Sequence, residues 1–381
     1  MFLSDEFIER PRPHPGGEGS GFVYPLLRRF VGALKQVLHK SKNTKRALQR
    51  TCILLDRINR IYGIEGDCWQ AKIRNPVHPV NPVYIPHLMA KIISVLFFLV
   101  VVTANAESRL PFSTVFKGRD RFDNLASKAK AENWKALPIG ERTAAVGRAL
   151  VGTRYKSFTL EIDNRIEAPS VNFTGMDCWT FYEIALAFAR MLNEPEENWT
   201  PEQLLHYIEL DRYRSGHCTG EYLSRLHYLE DWLADNDRRG LVEDLTRSLG
   251  GSSVSHSARE MTVGWKHYRY LKANRSLLGP LAQMEARVSS RPLYQIPKSQ
   301  VASIEGKLRS GDIIGIISRD RGGLYSTSHV GLALRVADGS LHFMHASSPR
   351  NYGKVVIDST LSSYLARYRT DSGILVARPV R

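Results

Sequence analysis

Cys178 follows Asp177 directly in the stretch FTGMDCWTFYEIALAFARML, residues 173–192, and is one of four cysteines in a chain of 381 residues. A thiol acts as a nucleophile when a base takes its proton, and histidine is the usual base near neutral pH. Among the twelve histidines, His329 and His345 lie in two segments of strand-like composition, HVGLALRV and LHFMHASS. These three residues predict hydrolysis of an acyl bond through a thioester, if the fold brings them together.

The sequence predicts that Cys178 opens an amphipathic helix. Apolar side chains recur after it at helical spacing and form one stripe that would face a core. The stripe consists of Phe181, Ile184, Ala185, Phe188, Ala189 and Leu192. Asp177 then occupies the N-cap, and Cys178 the first helical position, where free amides and the helix dipole favour a negative charge. We therefore expect a depressed thiol pKa and amides that can hold an oxyanion, the alternative being a buried structural cysteine.

The two histidines should share one face of a β-hairpin. A three-residue loop at Ala337-Asp338-Gly339, with Gly339 in the left-handed conformation, would pair Val336 with Ser340. His329 then lies across from Ser347 and one diagonal step from His345. A two-residue loop would place the histidines on opposite faces, unless a bulge restored the register. The alternative reading is two strand histidines with ordinary hydrogen bonds.

The order of elements predicts an α+β fold, in which helices pack on an antiparallel sheet. The helical patterns and the extended pattern precede the sheet. Residues 121–150 are expected to form two helices, the second of which runs from Gly140 to Gly152. Further helices are expected at 178–192, 201–212 and 222–236, and an extended stretch at 155–162. The strands follow in the last third. They are expected at 310–318, 329–336, 341–348, 354–361 and 373–379.

The net charge of +15 suggests a polyanionic partner, but its distribution argues against nucleic acid. Residues 1–88 contribute +7 of it, and the rest of the chain has no long basic run and no nucleic-acid-binding motif. A polyanionic cell wall, or charge that serves solubility alone, fits equally well. The four cysteines form no CxxC pair and no zinc-finger spacing, so we predict no disulfide framework.

Residues 89–106, MAKIISVLFFLVVVTANA, have the three-part layout of a secretory signal peptide with an A-x-A cleavage site. The apolar run is too short for a typical membrane-spanning helix of about 20 residues. We therefore expect residues 1–88 to come from an upstream mis-called start or to form a disordered basic extension. The mature protein would start near Glu107, with residues 107–381 as one catalytic domain, exported to the periplasm or beyond the cell and without a membrane anchor. The alternatives are a buried core helix, or a cytoplasmic head with an anchor and an exported body.

Several short motifs, in order, resemble the cell-wall cysteine peptidases of the NlpC type. The motifs are GTRY, MDCWTFYEIALA, SGDIIGI, HVGLAL and HAS, with DRYRSG…SRLHYLEDW, YQIPKSQVASIEGKLRSGDII and GILVARP as further marks. Within that group the chain is most similar to the N-acetylmuramoyl-L-alanine amidase-like family, formerly a domain of unknown function. The resemblance covers about residues 140–380 and implies a compact papain-like fold with a cysteine at a helix start.

The resemblance also implies roles for individual residues. Cys178 matches the nucleophile, His329 the general base and His345 the residue that orients its ring. Tyr155 matches a tyrosine that lines the active site, and Asp177 would lie there beside the nucleophile.

Arg225 and Tyr228, in SRLHY, match a stretch that we expect to line the substrate groove, although Arg225 could instead form a structural ion pair. Trp179 departs from the family pattern, which more often has a small or polar residue there. It would narrow the groove or simply pack.

The implied reaction is hydrolysis of an amide in peptidoglycan or a muropeptide by a monomer, with no cofactor and no metal. Two bonds compete: the lactyl-alanine amide, which the family name favours, and the γ-D-glutamyl–diamino-acid bond of the stem peptide. Two readings of other classes stay open. One is a zinc amidase using His329, His342 and His345, although His342 and His345 would face opposite sides of a strand. The other is a wall-binding module without catalysis.

Overall fold

An eight-stranded antiparallel sheet runs through the part of the chain that the computed structural model describes, residues 110–320 and 324–380. A separate parallel pair precedes it, formed by β1 (Phe116–Lys117) and β2 (Val171–Asn172). The strands of the sheet are β3 (Val242–Asp244), β4 (Ser252–Val254), β5 (Leu293–Pro297), β6 (Ile313–Arg319), β7 (Tyr325–Arg335), β8 (Leu341–Ala346), β9 (Val355–Thr360) and β10 (Asp371–Pro379). Their order is β4-β5-β10-β6-β7-β8-β9, and β3 pairs with the end of β10.

Most helices precede the long strands in the sequence. They are α1 (Phe112–Val115), α2 (Arg119–Ala131), α3 (Ile139–Ala149), α4 (Cys178–Met191), α5 (Pro201–Arg212), α6 (Leu229–Arg238), α7 (Glu260–Val263), α8 (Arg269–Ala273), α9 (Leu278–Ser289), α10 (Lys298–Ile304) and α11 (Leu361–Arg367). Helices and an antiparallel sheet together confirm the predicted α+β class.

The sheet is covered on both faces, which explains why its middle strands are apolar almost throughout. Helices α3 and α4 pack on the face that carries Val330, Leu332 and Met344. Helices α10 and α11 cover the opposite face, which carries Ala333 and Phe343. Helix α4 therefore lies against β7 and β8, the strands that carry the two candidate histidines.

Helix α4 is buried on every side, since all 14 of its residues are buried. The predicted apolar stripe faces the core as expected. The opposite side is polar, and buried residues of α5 neutralise it: Arg212 donates to Glu183 at 2.8 Å, and Arg190 donates to Asp211 at 3.0 Å. Buried charges of this kind are tolerated because each is paired.

Several helical predictions are confirmed, and two patterns are corrected. Helix α5 has the predicted bounds. The predicted helix at 222–236 begins only at Leu229, because the backbone before it bonds to the end of α5, where Leu226 donates to the carbonyl of Arg212. The stretch 155–162 is not a strand, since Phe158 has a positive φ of 56° and breaks the extended pattern.

All five predicted strands are present, whereas β3, β4 and β5 were not predicted. Two of these have only three residues each, VED and SSV, too few for an alternating pattern to show. The predicted signal peptide and residues 1–88 lie outside the described residues, so both stay predictions. Within the described ranges, no helix has the length and apolarity needed to cross a bilayer.

Candidate active site

A capping box fixes the start of α4. Oδ1 of Asp177 accepts the amide of Thr180 at 2.9 Å, and Oγ1 of Thr180 accepts the amide of Asp177 at 3.1 Å. Thr159 donates to the other carboxylate oxygen at 3.1 Å. Cys178 thus occupies the first helical position, as predicted. Asp177 itself is buried, and its carboxylate oxygens accept hydrogen bonds from Thr180 and Thr159. It therefore orients the helix rather than lining a groove.

Cys178 packs against β7. It belongs to the same buried core cluster as Val330 of β7, and α4 contacts both β7 and β8. The backbone amides of Val330 and Trp179 are close enough to the sulfur to lower the pKa of the thiol. The nucleophile candidate therefore lies against the part of β7 that follows His329. The Cys178 side chain is almost enclosed, with the residue 6% exposed.

Burial, and then the adjacent carboxylate of Asp177, raise the pKa of the Cys178 thiol to about 12. The nearby amides of Val330 and Trp179 lower it, but by less. The expectation of a depressed thiol pKa is therefore wrong for this structure. The helix start does supply amides, as expected, but desolvation of a thiolate outweighs them.

The hairpin between β7 and β8 has the predicted register. Val336 donates to Ser340 at 3.0 Å, and Gly339 has a φ of 84°, the left-handed conformation expected of the three-residue loop. As a result, Nε2 of His329 lies 2.7 Å from Nδ1 of His345. The two rings meet at 88°, edge to face. The structure thus brings both predicted histidines together.

The hydrogen-bond chain continues to two residues that the sequence analysis missed. Nε2 of His345 lies 3.4 Å from Oδ2 of Asp358, and Oδ1 of Asp358 accepts from Arg367 at 2.6 Å. His345 pairs with Val356 across β8 and β9, and Asp358, two residues on, shares that face. The connection between β8 and β9, residues 347–354, is too long for a turn type to fix this pairing from the sequence. A lone Asp in VVIDST gave no other signal.

Both histidines are neutral in the resting structure. Burial, reinforced by the neighbouring His345, holds the pKa of His329 well below its usual value. Burial also lowers the pKa of His345. Conversely, hydrogen bonds from His345 and Ser359, with the charge of Arg367, keep the pKa of Asp358 low despite its burial. The resting site therefore holds a neutral thiol, two neutral imidazoles and a carboxylate.

Alkylation of Cys178 by iodoacetamide should be slow at neutral pH and should still be rising without a plateau at about pH 10, because only the thiolate reacts. The raised folded pKa keeps the thiolate scarce throughout this range. Labelling from about pH 6 to about pH 10, with mass spectrometry of the peptides that carry Cys178 and Cys218, measures this. Urea-unfolded protein, whose thiols titrate near about 8.5, is the control. A labelling rate that is high and flat below about pH 7 would show a preformed thiolate–imidazolium pair instead.

Tyr155 lies beside the segment that leads into the nucleophile candidate. It forms a parallel bridge with Met176, two residues before Cys178, and its amide donates to the carbonyl of Gly353 at 2.8 Å. Its partly buried ring packs against the core cluster that contains Cys178. The predicted place of Tyr155 near the nucleophile is thus compatible with the geometry.

Arg225 is a structural residue in this fold, not a groove residue. It is 2% exposed, and its guanidinium lies 3.2 Å from Glu161 and 3.3 Å from Glu167. It also lies 5.0 Å above the ring of Tyr222. The ion-pair reading that the sequence left open is the one that the structure supports.

Tyr228 is also buried in the interior and does not line a groove. It is buried, and its hydroxyl donates to Glu285 at 2.6 Å, which ties α6 to α9. Trp179 is buried as well and packs edge-on against Tyr182 at 5.8 Å between ring centroids. Tyr228 therefore has a packing role in place of the expected groove lining, and for Trp179 the structure supports the packing alternative.

Elsewhere, a cavity of about 230 Å³ lies between α6, α9 and β5, and its lining includes Glu230, His256 and Arg291. None of the three predicted catalytic residues borders it. Within residues 110–320 and 324–380, no three His, Cys, Asp or Glu side chains converge as metal ligands would. His342 is engaged separately, with the Asp358 carbonyl and with Ser340.

A known protein family matches the segment of the chain that contains these candidate residues. The family model described as N-acetylmuramoyl-L-alanine amidase-like matches residues 145–374, which include the cysteine, both histidines and Asp358. The chain belongs to this family. No curated protein matches it.

Several solved structures align with part of the chain. An N-acetylmuramoyl-L-alanine amidase from Bacteroides uniformis ATCC 8492 is 27% identical, with a TM-score of 0.56, over 64% of this chain and 99% of that one. A Bacteroides fragilis protein named as a candidate xylanase is 34% identical, with a TM-score of 0.53, over 61% of this chain and 98% of that protein. A Legionella pneumophila str. Philadelphia 1 protein at 22% identity, with a TM-score of 0.52 over 69% and 95%, shares the fold alone.

Proposed function

We propose that this chain is a cysteine amidase of the papain-like, NlpC type that hydrolyses the N-acetylmuramoyl-L-alanine bond of peptidoglycan. One observation carries the proposal: Cys178 opens α4, which packs on β7, and His329 of β7 contacts His345 at 2.7 Å. A thiol, a base and a group that orients the base are the parts of a cysteine hydrolase. The family match and the Bacteroides uniformis amidase support the amide as the bond.

Acylation starts from the neutral pair. As the sulfur of Cys178 adds to the amide carbonyl carbon, the thiol proton passes to the free ring nitrogen of His329. The carbonyl oxygen becomes an oxyanion, which amides at the start of α4, together with the hydroxyl of Tyr155, would stabilise. His329 then gives its proton to the leaving nitrogen, the C–N bond breaks, and a thioester remains on Cys178.

Deacylation uses the same groups in reverse. His329 takes a proton from water as the water oxygen attacks the thioester carbonyl, and the proton returns to sulfur when the C–S bond breaks. The products are a free carboxylic acid and an amine, the thiol is restored, and no metal takes part. His345 holds the ring of His329 through both halves of the cycle.

Peptidoglycan as substrate is supported by the family and by the signal-peptide pattern at residues 89–106, which supports export to the periplasm or beyond. We propose that the exported enzyme works as a monomer and needs no cofactor. The γ-D-glutamyl–diamino-acid bond stays the alternative cleavage site, because a papain-like site can accept either amide. A wall-binding module without catalysis is the alternative from another class.

A glycosidase reading, raised by the candidate xylanase among the similar structures, has less support at this site. Glycoside hydrolysis uses two carboxyl groups that flank the scissile bond. The carboxylates nearest to the thiol and the imidazoles, Asp177 and Asp358, are committed to the helix cap and to Arg367.

Digestion of purified peptidoglycan should release intact stem peptides that begin with L-alanine, because cleavage at the lactyl amide separates the whole stem from the glycan. Mass spectrometry of the soluble products measures this. Truncated stems would support the endopeptidase alternative, and binding without soluble products would support the wall-binding module. Prior treatment with iodoacetamide, continued until the Cys178 peptide is fully alkylated, should abolish the release, whereas a chelator should leave it unchanged. The reverse pattern would support a zinc amidase.

A further inference from the structure

The carboxylate of Asp358 ends a continuous line of polar atoms that starts at the two histidines. Asp358 is 8% exposed, and its two oxygens have separate partners. Oδ2 faces Nε2 of His345 at 3.4 Å, and Oδ1 accepts from Arg367 and from the amide of Ser359, both at 2.6 Å. We propose that Asp358, clamped by Arg367, is a positioning residue that selects Nδ1 of His329 as the catalytic base.

The choice of nitrogen follows from counting protons along the line. An ionised carboxylate only accepts hydrogen bonds, so Nε2 of His345 must carry its proton and donate it to Asp358. A neutral imidazole has one proton, so Nδ1 of His345 carries a lone pair. Nε2 of His329, 2.7 Å away, must then be the donor. Nδ1 of His329 is therefore left with a lone pair, which is the atom that a thiol proton needs.

Packing holds the rings in the geometry that this line requires. The ring of Phe343 stacks on His345 with centroids 4.8 Å apart and planes 15° apart. Tyr364 of α11 closes the other side, with centroids 5.2 Å from His345 and 6.4 Å from His329. Neither ring can turn over easily between these neighbours, so the tautomer set by Asp358 persists.

Arg367 favours the ionised form of Asp358 and fixes the orientation of its carboxylate. Its guanidinium also lies 5.1 Å above the ring of Tyr364, which keeps it along the carboxylate. The groups facing Asp358 come from three elements: His345 on β8, with His342 bonded to the Asp358 carbonyl, Ser359 on β9, and Arg367 with Tyr364 on α11. Arg367 is the one permanent cation among these groups, and it favours the ionised carboxylate that the proton count needs.

The inference rests on the proposed function for its catalytic meaning, but its first test needs no substrate. Two-dimensional ¹⁵N–¹H NMR of the wild-type protein, labelled in histidine, distinguishes the two neutral tautomers. We expect His345 and His329 both protonated at Nε2 and bare at Nδ1. A signal from Nδ1–H on either ring would overturn the assignment, whether or not the protein digests wall material.

The second test is Asp358→Asn. An asparagine amide can donate to Nε2 of His345, which moves the proton of His345 to Nδ1 and then forces the proton of His329 onto Nδ1. The base is lost, and we expect kcat to fall by about 10²–10⁴-fold with little change in KM. The same NMR spectrum should show the switched tautomers. Asp358→Glu should recover part of the activity and the original tautomers.

Asp338→Asn is the matched control, since Asp338 is an exposed carboxylate in the turn of the β7–β8 hairpin, which carries the two histidines. It should leave both kcat and the spectrum unchanged. Wild-type kcat in Asp358→Asn would refute the proposal. If Asp358→Asn fails to fold, Arg367→Gln, at a partly exposed site, should lower kcat and raise the pH at which activity appears. An Arg367→Gln pH profile identical to the wild type would then count against the proposal.

Discussion

Replacing Cys178 by alanine is expected to reduce peptidoglycan hydrolysis by at least about 10³-fold and to leave the fold intact. Alanine keeps the helix start, because Asp177 still caps α4 and alanine is the best helix former. It removes the one atom that can form the thioester, so substrate can bind but cannot be acylated. Release of stem peptides, followed by chromatography with mass detection, gives the rate, and thermal unfolding monitors the fold.

Cys218→Ala is the matched control for this experiment. Cys218 is the other cysteine among the described residues, is only half-buried, and donates to the carbonyl of Glu167 at 3.6 Å. It takes no part in the proposed chemistry, so activity should remain within about twofold of the wild type. Full activity in Cys178→Ala, or loss in Cys218→Ala alone, would contradict the assignment of the nucleophile.

Replacing Arg225 by methionine is expected to lower the free energy of unfolding by about 3–5 kcal/mol. Methionine fills much of the same volume but leaves the buried carboxylates of Glu161 and Glu167 without their cation. Unpaired buried charges are far more destabilising than the loss of the ion pair itself. Urea denaturation, which yields the midpoint and the slope separately, measures the change.

Arg119→Met provides the comparison, because Arg119 forms an exposed ion pair with Asp123 at 2.9 Å and leaves no buried charge behind. Its effect should stay within about 0.5 kcal/mol. If Arg225→Met keeps wild-type stability and instead raises KM for peptidoglycan, then Arg225 lines the groove as the sequence motif suggested, and the correction made from the structure is wrong.

Much of the site could be predicted from local pattern. Asp177 before an apolar stripe of helical spacing gave the helix start and the place of Cys178. The turn residues Asp338 and Gly339 gave a three-residue loop, and the loop fixed the register that joins His329 to His345. These inferences succeed because capping and hairpin geometry depend on a few neighbouring residues.

What failed depends on groups that are distant in sequence. The thiol pKa depends on how deeply Cys178 is buried, which no property of its helix reveals. Arg225 lies in a family motif and is still occupied by Glu161 and Glu167, about sixty residues earlier in the chain. Asp358 shares the face of Val356, which pairs with His345, but the connection at residues 347–354 contains no two- or three-residue turn that would fix this pairing from the sequence.

The complete burial of α4 links the chemistry of the protein to its cooperativity. An element with no solvent-facing side opens only when most of the molecule unfolds, so its backbone amides should be among the slowest to exchange with deuterium. The proposed nucleophile sits on its first turn. Thermal inactivation should therefore coincide with global melting, with no earlier stage in which the protein is folded but inert.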